Sequence, residues 1–262
     1  MKLNNIMAAA LVVGLVACSG SSETIGTASA ALTPTWTDYA FTASPSAPYS
    51  ADLGSATNSI CGLTALSAQF NQSSPATGVN LFVSGGDWQV SATVNGAVRC
   101  FAASDFTANP SSLTVATVPS SGGSGVQDLS YSASTSDCLL GELSGKMVGL
   151  ASSASVVSVL GSWVLDTGSG VVGQANCLTY SGFTPLAASR ITAATAHTSC
   201  GTNCKNYTLA APSSAACFIT GVEGDMSGDA SSNSMTLVEG ATQSLQVVGT
   251  STMIINVACL PF

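Results

Sequence analysis

Charge is what this chain has least of: Asp, Glu, Lys and Arg together make up 7% of it, against about a quarter in an ordinary soluble domain. The basic side chains are Lys2, Arg99, Lys146, Arg190 and Lys205, and Lys2 lies in the leader described below. No basic face for a phosphate backbone can be assembled from the four scattered cations that then remain, so nucleic-acid binding is excluded. A single histidine, His197, leaves Ser-His or Cys-His catalysis resting on one residue, and no Gly-x-Ser-x-Gly segment exists to join it. Helix signals are missing too. No stretch beyond the leader keeps an apolar stripe over three turns, and no capping box opens one. The apolar run near the N-terminus is ended by Cys18, Ser19, Gly20 and Ser21, short of the roughly 18 residues that a spanning helix needs. Scarcity of charge does not mean disorder, which combines high charge with low hydrophobicity. Here 46% of the residues are hydrophobic.

What is present begins with Lys2 and the apolar segment Ile6 to Val16, the n-region and h-region of a signal peptide. Leu15-Val16-Ala17-Cys18 resembles the lipobox of bacterial lipoproteins. That resemblance implies a signal peptide at 1–17, cleavage before Cys18, and lipidation of its sulfur by diacylglycerol and fatty acyl chains of the palmitate kind. Two or more chains hold a protein stably on a membrane, where one does not. The alternative is an ordinary secretory signal cut near Ala17. Residues 18–33 are small and polar without periodicity, which predicts a flexible tether. Glu23 and the closing Ala31-Leu32-Thr33 resemble the spacer of myxobacterial surface lipoproteins. Ser19 stands where enterobacterial lipoproteins retained at the inner membrane carry aspartate, which implies sorting to the outer membrane. The expected location is therefore the cell envelope, lipid-anchored, periplasmic or surface-exposed.

Nine cysteines are present, and Cys18 on lipid leaves an even set of eight, which in an exported chain reads as disulfides. Cys61 to Cys100 and Cys138 to Cys177 each span 39 positions, and Cys217 to Cys259 spans 42. Large apolar residues follow two and five positions after each first cysteine: Leu63 and Leu66, Leu140 and Leu143, Ile219 and Val222. Phe70, Met147 and Met226 come nine positions after it, and Trp88, Trp163 and Leu245 hold equivalent places before the closing cysteine. Phe41-Thr-Ala-Ser-Pro45, Phe106-Thr-Ala-Asn-Pro110 and Phe183-Thr-Pro185 recur upstream. The pattern predicts three divergent repeats of about 77 residues, at 34–103, 104–180 and 181–262.

Short β-branched runs bounded by Gly, Ser and Asn make the predicted fold class all-β, with five or six short antiparallel strands per repeat. Two arrangements fit: tandem small sandwiches, or a prism-like or trefoil-like ring about a pseudo-threefold axis. Disulfides within repeats would be Cys61–Cys100, Cys138–Cys177 and Cys217–Cys259. Those between repeats would be Cys100–Cys138, Cys177–Cys217 and Cys61–Cys259. The first set is favoured, because it encloses the most faithfully repeated segment. Cys200 and Cys204 have no counterparts and are expected to pair with each other.

Four constellations bear on chemistry. Val164-Leu165-Asp166-Thr167-Gly168-Ser169 resembles the active-site segment of aspartic proteases, but that mechanism needs two carboxylates sharing a proton and no second Asp-Thr-Gly or Asp-Ser-Gly exists. Gly168, Gly170 and Gly173 satisfy a dinucleotide-binding spacing, yet Gln174-Ala175-Asn176-Cys177 opens no helix, so a hairpin turn is expected. His197, Cys200, Cys204 and Cys217 could ligate zinc or copper, against which export favours disulfides. Glu223, Asp225 and Asp229 lack the spacing of a calcium loop and read as a solvated turn. The Cys61 to Trp88 segment resembles modules repeated in some bacterial and phage-tail surface proteins, which implies an adhesin-like role. The expected function is thus a non-enzymatic surface scaffold for a carbohydrate or surface ligand, without a cofactor or metal, with Trp88 and Trp163 as candidate ligand-facing residues. The alternatives are a passive envelope component and an extracellular hydrolase using Asp166.

Overall fold

The computed structural model describes residues 35–67, 69–70, 77–106, 113–120, 124–149, 151–180, 187–193, 205–209, 215–227, 233–238, 243–249 and 253–262. Six strands fall in the first expected repeat: β1 (Trp36–Phe41), β2 (Tyr49–Ser55), β3 (Ser59–Ser67), β4 (Gly78–Ser84), β5 (Asp87–Ala92) and β6 (Asn95–Ala102). Six more fall in the second: β7 (Thr114–Pro119), β8 (Gly125–Ser132), β9 (Ser136–Gly145), β10 (Ser153–Val159), β11 (Ser162–Thr167) and β12 (Val171–Thr179). The last six are β13 (Ala187–Ala193), β14 (Lys205–Thr208), β15 (Ala215–Gly224), β16 (Ser234–Val238), β17 (Ser244–Val248) and β18 (Met253–Pro261). Among the described residues the only helical element is a single 3-10 turn at Ala103–Asp105. The protein is all-β and antiparallel, stapled by disulfides.

The strands form three sheets of six, in the orders β1-β6-β3-β16-β17-β14, β7-β12-β9-β4-β5-β2 and β13-β18-β15-β10-β11-β8. Each sheet takes the first, sixth and third strands of one stretch and the fourth, fifth and second strands of another. The exchange runs in a cycle, the third stretch completing the sheet of the first. No stretch owns a whole sheet, so the tandem-sandwich expectation gives way to the ring, in its prism-like form of three separate sheets.

Alternation decides which residues fill the interior. Leu81, Trp88 and Val90 are fully buried, while Asn80, Phe82, Gln89 and Ser91 on the opposite face are half-buried. The third strand of each stretch does not alternate, because it is covered on both sides: β9 and β15 are almost entirely buried. At the end of these strands the backbone closes a cycle. The Phe70 N–H donates to the Met226 carbonyl, Met226 to Met147, and Met147 to Phe70, at 2.8, 3.1 and 2.8 Å. All three side chains are fully buried. Close packing about this axis requires a glycine at position 62, where a Cβ would run into the Phe218 ring.

The disulfides are Cys61–Cys100, Cys138–Cys177 and Cys217–Cys259, each joining directly opposed residues of the third and sixth strands with Cα atoms 4.1, 4.0 and 4.0 Å apart. Three residues beyond each first cysteine the ladder carries one extra residue: Thr64, Gly141 and Thr220. Such a bulge turns the strand and increases its local twist, and its recurrence keeps the three sheets in the same bend. Pairs between stretches do not form. Cys18 and the Cys200–Cys204 pair lie outside the described residues.

Trp88 and Trp163 do not face a ligand. Trp88 is fully buried and Trp163 nearly so; their indole N–H groups donate to the carbonyls of Ser59 and Ser136, at 2.9 and 2.7 Å. A buried tryptophan needs a partner for its N–H, and the backbone two residues before the cysteine supplies it. In the third stretch Leu245 has no donor. There the Gln243 amide nitrogen reaches the Ala215 carbonyl, two residues before Cys217.

Replacing Cys138 and Cys177 together by alanine should lower unfolding free energy by about 4 kcal/mol, the chain-entropy value for a loop of roughly 40 residues. Urea unfolding of the oxidised protein and of the double variant measures it, and the difference should vanish under reducing conditions.

Candidate functional site

The cyclic exchange of strands creates three equivalent places where the fourth strand of one stretch meets the third strand of another. The pairs there are Asn80 with Glu142, Ser155 with Gly221, and Thr236 with Ala65. Extending each pair along the ladder gives three rows across neighbouring strands. The first row is Ser50, Ser91, Asn80, Glu142 and Gln174. The second is Asp166, Ser155, Gly221 and Asn256. The third is Gln246, Thr236, Ala65 and Ala97.

Only the first row borders a described cleft, of about 220 Å³, lined by Pro48, Tyr49, Asn80, Ser91, Glu142 and Ser144 among others. That is smaller than the roughly 300–1,000 Å³ clefts that take drug-sized ligands, and it admits one small polar ring. Gly78 lets β4 close on β9 at the floor, since a Cβ there would strike Ser144. The polar groups are partly committed and partly open. Ser144 Oγ donates to Glu142 Oε1 at 2.7 Å, and Gln174 Nε2 donates to Asn80 Oδ1 at 3.0 Å. Both bonds orient the side chains and leave Glu142 Oε2 and Asn80 Nδ2 unengaged by the described residues. Directly opposed side chains have Cβ atoms about 4.5–5.5 Å apart. An acceptor and a donor at that separation suit two adjacent polar groups of one ligand. Thr77, buried immediately before Gly78, has a hydroxyl with no partner among the described residues. Phe82 shares the outer face of β4 with Asn80 and is half-buried.

The other rows are differently equipped. In the second, Ser155 and Asn256 are buried and glycine replaces the carboxylate-bearing residue. Asp166 stands at its outer end within β11, between Ser155 and Val126 on the flanking strands, with no carboxylate opposite it. Its counterparts by register are Ser91 and Gln246. The third row has no charge. A second cleft of about 250 Å³ lies along β1 and β6 beside Trp36, which is 43% exposed. Three of its polar side chains are engaged by the protein: Thr35 Oγ1 donates to Asp105 Oδ2, Tyr39 to the Leu53 carbonyl and Ser59 Oγ to the Ser55 carbonyl. The Trp36 ring itself packs on the Arg99 guanidinium, 5.2 Å from the ring centroid, and Arg99 is paired with Asp38 at 2.6 Å.

The remaining sequence candidates scatter. Gly168 to Gly173 spans the turn between β11 and β12 and the start of β12, and no helix follows. Cys217 is held in a disulfide, which removes it from any set with His197, Cys200 and Cys204, and those three lie outside the described residues. Asp225 accepts from the backbone N–H and hydroxyl of Ser227, at 2.9 and 2.6 Å, forming a local turn; Asp229 lies outside the described residues. No group of three His, Cys, Asp or Glu residues suited to a metal ion occurs among the described residues.

Compared with known protein families and with curated proteins, the chain matches none. Glu142, Asn80 and Gln174 were not singled out from sequence. A signal for the first existed, because the position four residues after the first cysteine reads Ala65, Glu142 and Gly221.

Trp88→Phe should cost about 2 kcal/mol of stability by leaving the Ser59 carbonyl without its donor, and leave ligand binding unchanged. Denaturant unfolding beside a binding isotherm separates the two effects.

Proposed function

We propose that this chain is a non-enzymatic, lipid-anchored surface protein that binds a carbohydrate in the cleft between β4, β5 and β9. The observation that carries the reading is the opposition of Asn80 and Glu142, with an amide donor and a carboxylate acceptor left open side by side. Adjacent hydroxyls of a pyranose present the matching pair, one donating to Glu142 Oε2 and one accepting from Asn80 Nδ2. Tyr49 in the lining offers an apolar surface to the ring's C–H groups. A scaffold held by three disulfides and a closed hydrogen-bond cycle keeps these groups in place before a ligand arrives, which lowers the ordering cost of binding.

The membrane part of the reading rests on Leu15 to Cys18 and on the pairing of the cysteines. Six cysteines are committed to disulfides, and Cys200 and Cys204 form the remaining expected pair, so Cys18 is left for lipid. Cys18→Ser should move the protein from the membrane fraction to the soluble fraction and abolish incorporation of labelled palmitate.

A glycan array probed with the full chain, purified in a detergent without a sugar headgroup, tests the binding half. Asn80→Ala should weaken the strongest hit by about tenfold, the loss of one well-placed hydrogen bond. Absence of binding across the array would overturn the carbohydrate reading.

A further inference from the structure

We infer that the ligand of this cleft is an amine-bearing sugar, of the glucosamine type, recognised through a vicinal ammonium and hydroxyl, and that acidic sugars are excluded. The inference rests on the carbohydrate reading and adds the charge of the ligand to it. Glu142 is the single ionisable carboxylate among the lining residues, and the lining contains no Lys, Arg or His. The chain as a whole carries a net charge of -8. A carboxylate that accepts one internal hydroxyl and has its other oxygen open at a half-buried wall favours a cationic partner, because an ammonium adds Coulombic attraction to the hydrogen bond that a neutral hydroxyl would also make. A uronic acid or sialic acid would set its own carboxylate against Glu142 with no cation to relieve the repulsion.

The equivalent positions sharpen the assignment. At the same register point the other two junctions present Gly221 and Ala65, and the fold is maintained at both. The carboxylate at position 142 is therefore not required to pair β4 with β9. Its hydrogen bond from Ser144 orients it, and among the described residues no cation pairs with it.

The test measures binding of the full chain to glucosamine, N-acetylglucosamine, neutral glucose and glucuronic acid oligomers of equal length, for the wild type and Glu142→Gln. The expected result is about tenfold tighter binding of the glucosamine oligomer than of the glucose oligomer, no glucuronate binding, and a preference that shrinks as salt rises. Glu142→Gln, whose amide oxygen still accepts from a hydroxyl but carries no charge, should weaken the neutral oligomer about twofold, weaken the glucosamine oligomer about tenfold or more, and lose the preference. Equal affinity for glucose and glucosamine oligomers, a preference for the N-acetylated form, or a preference that survives in Glu142→Gln would overturn this inference and leave the carbohydrate reading standing. No binding to any of the four would overturn both. Folding of the variant is checked by its unfolding midpoint, and Glu142→Asp supplies a second variant that keeps the charge and should keep part of the preference.

Discussion

Everything in this structure depends on strand exchange about the axis. Each sheet is completed by strands from another stretch of chain, so no stretch can bury its own apolar faces alone, and the three third strands must meet at the centre. The hydrogen-bond cycle of Phe70, Met147 and Met226 is the visible result. It satisfies three buried backbone donors and three acceptors where the strands end, a place that would otherwise leave orphans. A chain with few aromatics and few charges has little else with which to fix three sheets together, and the cross-strand disulfides add constraint where β3, β9 and β15 pair with β6, β12 and β18.

A repeated framework also explains how one position can change without cost to the rest. Strand pairing is carried by the backbone, so the residue opposite Asn80, Ser155 or Thr236 is free to be Glu142, Gly221 or Ala65. Two of the three junctions carry small residues there. The third carries a carboxylate, an adjoining pair of amides and a cleft. The exchange of Trp88 and Trp163 for Leu245 shows the opposite case, a position where change had to be compensated. The acceptor two residues before the cysteine receives a side-chain donor in every stretch, and where the indole is lost the Gln243 amide takes its place.

Much of the architecture was legible because the cysteine spacing and the apolar residues at fixed distances from it are local in sequence. They identified the cysteine segments that form the disulfides and Phe70, Met147 and Met226 as equivalent residues, while the β-branched runs identified the all-β class. The tryptophans misled for a physical reason. An aromatic ring with a polar tip suits a ligand site as well as a core, and composition does not tell which side of a strand faces water. Here strict alternation with Val90 and Leu81 put Trp88 inside. Asp166 is a different case, since its resemblance lies in six consecutive residues while its neighbours Ser155 and Val126 come from other strands.

By itself the sequence determined the all-β class, the cysteine spacing and the sparse charge, because these follow from residue type and near-neighbour pattern. Tertiary structure alone decided that the stretches share sheets, and with that which residues oppose each other. Asn80 and Glu142 are 62 positions apart, in different stretches. They form one surface only because β4 completes the sheet that β9 begins, and no local pattern encodes that choice of partner.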